Sequence, residues 1–358
     1  MTTPASERFE RIIGSRGRTL ESLALTAGIL AFWVVGAVAI PVFGFGDAPI
    51  SGPGSIGEYA AISCGVVAML AFAAGRLIVA AREDGLRMRV LDALDIAAVA
   101  LAHGAIALLT WTLASVLLAD AFIGAEVFAV PLLVIAGAAG ALTGYVAFSS
   151  AVIMDLSLLA VVLAVFLVEG MLASMLTATD PYWWQEHLSA LGMSENVSAR
   201  AFNLTLIVAG FLVTTLVRRV TVDLPSAHPH GRRNVRTCLV LVGVLLACVG
   251  IIPVDVSFWL HTAVASGMAV SFFVLVIALR RWVPGLSRTF LVLGWTFMAV
   301  IVLLAVYYAV GWYTLTAVEL VAGILVFTWI ILFIRSVETL GNDDARAEHP
   351  LTRASNDG

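Results

Sequence analysis

Lysine is missing altogether: every one of the 20 basic residues is arginine, a bias that fits GC-rich coding and leads us to expect a bacterial source. Charge of either sign is scarce, at 12% of residues, where a water-soluble globule carries about 25%. With 61% hydrophobic residues and a mean hydropathy of +1.02, the chain has too little polar surface to stay in water, which excludes a soluble globular fold. Cysteine is nearly absent. Cys64, Cys238 and Cys248 all fall inside apolar runs, and an odd count in such places gives neither a disulfide framework nor metal-ligand spacing. No small-residue cleavage site follows the first hydrophobic stretch, so that stretch reads as a retained span and not as a removed signal peptide.

What the chain does have is long apolar runs. A span needs about 20 apolar residues to cross roughly 30 Å of hydrocarbon, and the sequence divides into ten such stretches. They lie at about 23–45, 57–80, 94–119, 127–149, 156–178, 201–217, 237–252, 258–279, 289–311 and 314–335. The fourth and fifth are separated only by a polar break from Ser149-Ser150 to Asp155. Gly140 and Gly144 in the fourth have the GxxxG spacing that lets helices approach closely. The fold class expected is an all-α, polytopic membrane helix bundle. Residues 1–150 form a four-span region, 151–335 a six-span region, and 336–358 a disordered cytoplasmic tail. Every arginine except Arg200 falls on the side of the N-terminus, so both termini are expected in the cytoplasm of a bacterial cell. No internal repeat relates the first four spans to the last six.

The segment from Asp180 to Asn203 is the longest polar and aromatic stretch on the far side, and it carries most of the candidate chemistry. Ionisable groups inside a span are costly and by default functional; His103, Glu169 and Glu319 are such groups. Glu169 and Glu319 lie toward the same side as the long loop, and Asp180, Glu186, His187, Asp255 and His261 fall at that depth or just above it. Seven carboxyl or imidazole groups thus have the chance to converge on an outer-leaflet cavity. Neutral imidazole with carboxylate suits acid-base work or zinc, but neither a His-x-x-x-His nor a Cys-x-x-Cys spacing is present, so no metal and no cofactor is expected. The simpler role for His187 and Asp180 is to cap helices. Ser189 has a nucleophile's hydroxyl yet lacks the preceding glycine of a Gly-x-Ser-x-Gly elbow. Tyr182, Trp183 and Trp184 follow a span end, where aromatic rings favour the headgroup layer, and Trp183 and Trp184 can also stack on a headgroup or sugar. His228 and His230 form a two-residue-spaced pair in an arginine-rich loop; those arginines set topology and touch anionic lipid. Asn196 and Asn203 each open an Asn-x-Ser/Thr pattern.

Several of these pieces recur in order. His187-Leu-Ser-Ala-Leu-Gly192, then Phe202-Asn203 opening a span with Gly210 inside it, then Ile251-Ile252-Pro253 closing the next, then His261 just inside the one after, resemble the bacterial membrane family called domain of unknown function 998, itself similar to the eukaryotic Frag, DRAM and Sfk membrane proteins. The resemblance covers about residues 156–335. The family's last span often opens with an acidic residue followed by a basic one, whereas here Glu319 is followed by Leu320, so no ion-pair role is carried to that position. The resemblance implies a connection to lipid without specifying a reaction.

The expectation is therefore a multi-pass protein of the bacterial cell membrane. It recognises a lipid or lipid-linked envelope component without catalysis, and Glu169, Asn203, Asp255, Glu319, Trp183 and Trp184 line the binding cavity. One alternative is a membrane-embedded hydrolase or acyl transferase using His187, His261, Asp180 and Glu186. Another is a proton-coupled carrier using His103 and Glu169. Membrane lipid is the expected partner and nucleic acid is not; a membrane-protein partner or a second copy of the chain stays open.

Overall fold

The computed structural model describes residues 4–84, 90–221, 224 and 230–348. Among them are ten α-helices: α1 (Pro4–Phe43), α2 (Ile56–Asp84), α3 (Val90–Ala121), α4 (Ala129–Val152), α5 (Leu156–Leu176), α6 (Val197–Val220), α7 (Gly231–Ile251), α8 (Phe258–Trp282), α9 (Arg288–Ala309) and α10 (Leu315–Glu348). Each contains a stretch long and apolar enough to cross a membrane. In lipid the helix satisfies every backbone donor and acceptor within its own segment, which is why apolar runs of this length take that form. Four of them, α1, α2, α3 and α10, run past their apolar stretches, because polar flanking residues continue the backbone ladder beyond the hydrocarbon-length run. Two helix bounds differ from the sequence expectation. The break between α4 and α5 shrinks to Ile153–Asp155, with Ser149 and Ser150 inside α4 and Asp155 accepting a hydrogen bond from Leu158 N–H at 2.7 Å as the N-cap of α5. At the other end α10 runs on through Glu348, past Ser336 where a disordered tail was expected, since no proline interrupts the chain before Pro350. Residues 349–358 lie outside the described residues.

The chain forms two compact units, Met1–Met154 and Asp155–Gly358. In the first, α4 packs on α1 and on α2, and α2 packs on α3. The α1/α4 crossing is close because it is built of small residues. A Cβ added at Gly140 would lie 2.7 Å from Val35 Cγ2, and one at Gly144 would lie 3.1 Å from Ala31 Cβ and 3.2 Å from Ala27 O. The GxxxG spacing is thus used for packing. Two connections of this unit meet in a two-residue antiparallel pairing, Ala48 opposite Val127 and Pro49 opposite Glu126, which the sequence reading did not anticipate. Polar groups within the unit are tied to backbone or to each other: Tyr59 donates to Val35 O at 2.6 Å and Trp111 Nε1 to Thr143 Oγ1 at 3.0 Å.

In the second unit the six helices follow one another round a ring. Each of α5 to α10 packs on the next, and α10 closes on α5. Near one end of that ring an aromatic cluster fills the space between α8, α9 and α10: Trp329, with no exposure, stacks on Phe333 at 5.5 Å and meets Phe272 edge-on at 5.3 Å. At the other end, the loop from α5 to α6 contains two 3-10 turns, Trp183–Gln185 and Leu188–Gly192. It does not hang free, because the second turn packs on both α6 and α10.

Candidate functional site

Three helices hold the Leu188–Gly192 turn. The Leu188 N–H donates to Glu319 Oε2 near the start of α10 at 2.6 Å, and the Ser189 N–H is directed to the same carboxylate. The Ser189 hydroxyl is 3.1 Å from Nε2 of His261 in the first turn of α8. The Gly192 carbonyl accepts from Asn203 Nδ2 of α6 at 3.0 Å. Gly192 is required at this contact, since a Cβ there would come within 2.6 Å of Asn203 Oδ1 and 2.8 Å of the Phe202 ring. Behind the turn, Ser198 Oγ donates to Ser174 O at 2.8 Å, which ties α6 to the end of α5. Hydrogen bonds to a charged acceptor contribute roughly 1.5 to 3 kcal/mol each, and neutral ones about 1, so the loop is fastened by several modest contacts acting together.

The His261 tautomer follows from its partners. The Nδ1 of His261 lies 2.7 Å from the Ile252 carbonyl, and a carbonyl oxygen only accepts, so Nδ1 carries the proton and Nε2 is the acceptor. The hydrogen between Nε2 and Ser189 therefore belongs to the serine. His187, immediately before the turn, is half-buried, and its Nδ1 is buried without a hydrogen-bond partner. Burial holds the His187 imidazole below the usual histidine range; the Glu186 carboxylate acts in the opposite sense, and nearby His261 in the same sense as burial. Thr316 is 5% exposed, and its Oγ1 is also buried and unpartnered. It precedes Glu319 by three residues on α10, and residues three apart share a helix side.

The predicted site residues thus divide. His187, His261, Asn203 and Glu319 come together around the turn that carries Ser189, and Thr316 lies one helical turn before Glu319 on α10. Asp255 is exposed, and its carboxylate receives the Ser194 N–H at 3.4 Å. Asp180 is exposed and accepts the Tyr182 N–H at 2.8 Å as a local turn, and Glu186 is exposed. The side chain of His187 makes no capping hydrogen bond, so the capping role expected for it is not the one it plays. Trp183 is half-buried and Trp184 is 49% exposed, on a turn packed against α10. Glu169 is half-buried on α5 and is engaged in an interaction there.

His103 belongs to the first unit and is buried and fully bonded. Its Nδ1 lies 2.9 Å from Val99 O, its Nε2 lies 2.9 Å from Ser150 Oγ, and its ring stacks on Phe72 at 4.2 Å. Asn196 caps α6 by accepting from Ala199 N–H at 2.8 Å, which explains the first Asn-x-Ser pattern without glycosylation. His230 opens α7, and His228 lies outside the described residues. Among the described residues no group of three or more His, Cys, Asp or Glu side chains is placed to hold a metal ion. Sequence reasoning missed Thr316, because a threonine early in an apolar span ordinarily bonds its own backbone and gives no signal.

Ten spans, with a polar loop folded onto the helix ends of the second unit, define a multi-pass integral membrane protein. Compared with protein-family models, with curated proteins and with solved structures, the chain matches none.

Proposed function

We propose that the loop-covered end of the second unit binds the polar part of a membrane lipid or lipid-linked envelope component, at the outer face of a bacterial cell membrane. The observation that carries this reading is a pair of buried, unpartnered polar atoms, His187 Nδ1 and Thr316 Oγ1, one on the residue next to Leu188 and the other one helical turn before Glu319, the two partners of the hydrogen bond that docks the turn. A buried donor or acceptor left without a partner costs about 1 to 3 kcal/mol, and two of them beside a carboxylate suit a ligand that brings hydroxyl, amine or ester groups. The exposed rings of Tyr182 and Trp184 suit the headgroup layer next to it. The outer-face assignment rests on the arginine distribution, and the lipid assignment agrees with what the resemblance to domain of unknown function 998 implies.

The test is lipid retention. Full-length protein purified in mild detergent is expected to carry lipid in a fixed molar ratio, identified by mass spectrometry after extraction. Thr316→Val keeps the side-chain shape and removes the hydroxyl, so it should weaken retention by roughly 3- to 10-fold, the equivalent of one hydrogen bond, with an unchanged or raised melting temperature. Lipid retained equally by wild type and variant would count against the site.

A further inference from the structure

Ser189 and His261 stand in the relation that makes a serine hydroxyl a nucleophile. The Ile252 carbonyl, 2.7 Å from Nδ1, fixes the ring orientation and tautomer, leaving Nε2 bare to receive the hydroxyl proton of Ser189 at 3.1 Å. A carbonyl here does what the third member of a catalytic triad does, which is to hold the base in its productive form. Both side chains are confined, at 9% and 6% exposure. The turn that carries Ser189 is clamped by Glu319 on one side and Asn203 on the other, so the oxygen is positioned before any substrate arrives.

The first unit offers an internal comparison. His103 is anchored by Val99 O and faces Ser150 Oγ in the same way, but Ser150 lies within α4 and His103 stacks on Phe72, well inside two spans. Ser189 instead lies on a loop turn at the helix ends, beside a histidine whose Nδ1 has no partner. The ends of membrane-length spans fall near the border of hydrocarbon and headgroup layers, where the ester carbonyls of a lipid lie.

We infer that Ser189 is the nucleophile and His261 the general base of an acyl-transfer site acting on the carboxylic ester of a membrane lipid. The lipid substrate rests on the binding reading above; the nucleophile does not. The Ser189 oxygen forms a bond to the ester carbonyl carbon as its proton passes to His261 Nε2. The bond from that carbon to the alcohol oxygen breaks, and the alcohol leaves with the proton from Nε2. Water, or a second lipid hydroxyl, then attacks the acyl-serine and gives its proton to Nε2, and Ser189 departs with that proton, releasing an acid or a new ester. The N–H groups of Leu188 and Ser189 are directed to Glu319, and the donor assigned to the oxyanion in this proposal is His187, two residues from Ser189 in the chain, whose Nδ1 has no protein partner.

An alkyl fluorophosphonate tests this without needing the natural lipid, because Ser189 displaces its fluoride. Full-length protein in detergent should gain one adduct per chain, mapped by mass spectrometry to the peptide containing Ser189. The adduct should be absent in Ser189→Ala, slowed at least about 100-fold in His261→Gln, and undiminished in Ser150→Ala. Wild-type protein that gains no adduct, or an adduct that survives Ser189→Ala, overturns the assignment; neither comparison depends on His261→Gln folding. Protein that takes the label but retains no lipid keeps the nucleophile and removes lipid as its substrate. Protein that retains lipid while Ser189 stays unlabelled overturns this inference alone.

Discussion

His187 is the residue whose environment makes the clearest demand. A histidine in an unfolded chain titrates near pH 6.5, and burial in the folded protein lowers that value by disfavouring the imidazolium. Below about pH 6.5 the unfolded chain therefore takes up a proton that the folded chain resists, so the stability contribution is full above that pH and is lost as pH falls toward the folded value. Thermal unfolding in detergent between about pH 7.5 and 5 should show a steeper loss on acidification for wild type than for His187→Gln. Equal slopes would mean that His187 is solvated in the folded state. Thr316 and Ser189 make the opposite kind of demand: neither changes charge, and their importance rests on where one oxygen atom is held.

At the scale of elements, the loop between α5 and α6 is fastened to helix ends that are far from it in sequence, and Glu319 is its largest single anchor. Glu319→Ala removes the acceptor of the Leu188 N–H and of the Ser189 N–H, which should cost roughly 1.5 to 3 kcal/mol of loop docking. Hydrogen exchange should speed up by about 10- to 150-fold at the amides of Leu188 and Ser189, while the amides of α7 stay protected. Unchanged exchange at 188 and 189 would show that the loop is held by something else. This fastening was only partly legible in the sequence. The length of the apolar runs placed the helices, because a bilayer sets a minimum length for all of them. The clustering of His187, His261, Asn203 and Glu319 at one depth followed from short connections between alternating spans. Depth places residues on a common plane, however, and not next to one another. That Asp180, Glu186 and Asp255 remain exposed while Glu319 reaches the turn depends on the path of the loop, which is set by contacts such as Gly192 against Phe202 and carries no periodic signal.

For the whole molecule, the account requires ten spans, the loop outside and both termini inside. Glu195→Cys lies at an exposed position of the loop and should react with a membrane-impermeant maleimide on intact cells; reaction only after permeabilisation would invert the orientation. The two compact units divide the visible polar chemistry unevenly. The first encloses a fully bonded histidine and the buried Asp95, whereas the second gathers Ser189, His187, His261, Glu319 and Thr316 at the loop-covered helix ends, with His187 Nδ1 and Thr316 Oγ1 unpartnered. The central claim is that a lipid's polar part meets those two atoms. It is tested most directly by an experimental structure of the full-length protein in nanodiscs made from the lipids of its own membrane. The account predicts lipid density at the end of the second unit, with polar atoms within hydrogen-bonding distance of both His187 Nδ1 and Thr316 Oγ1. A structure in which those atoms bond only to protein or water, with lipid confined to the outer surface of the helices, would contradict it.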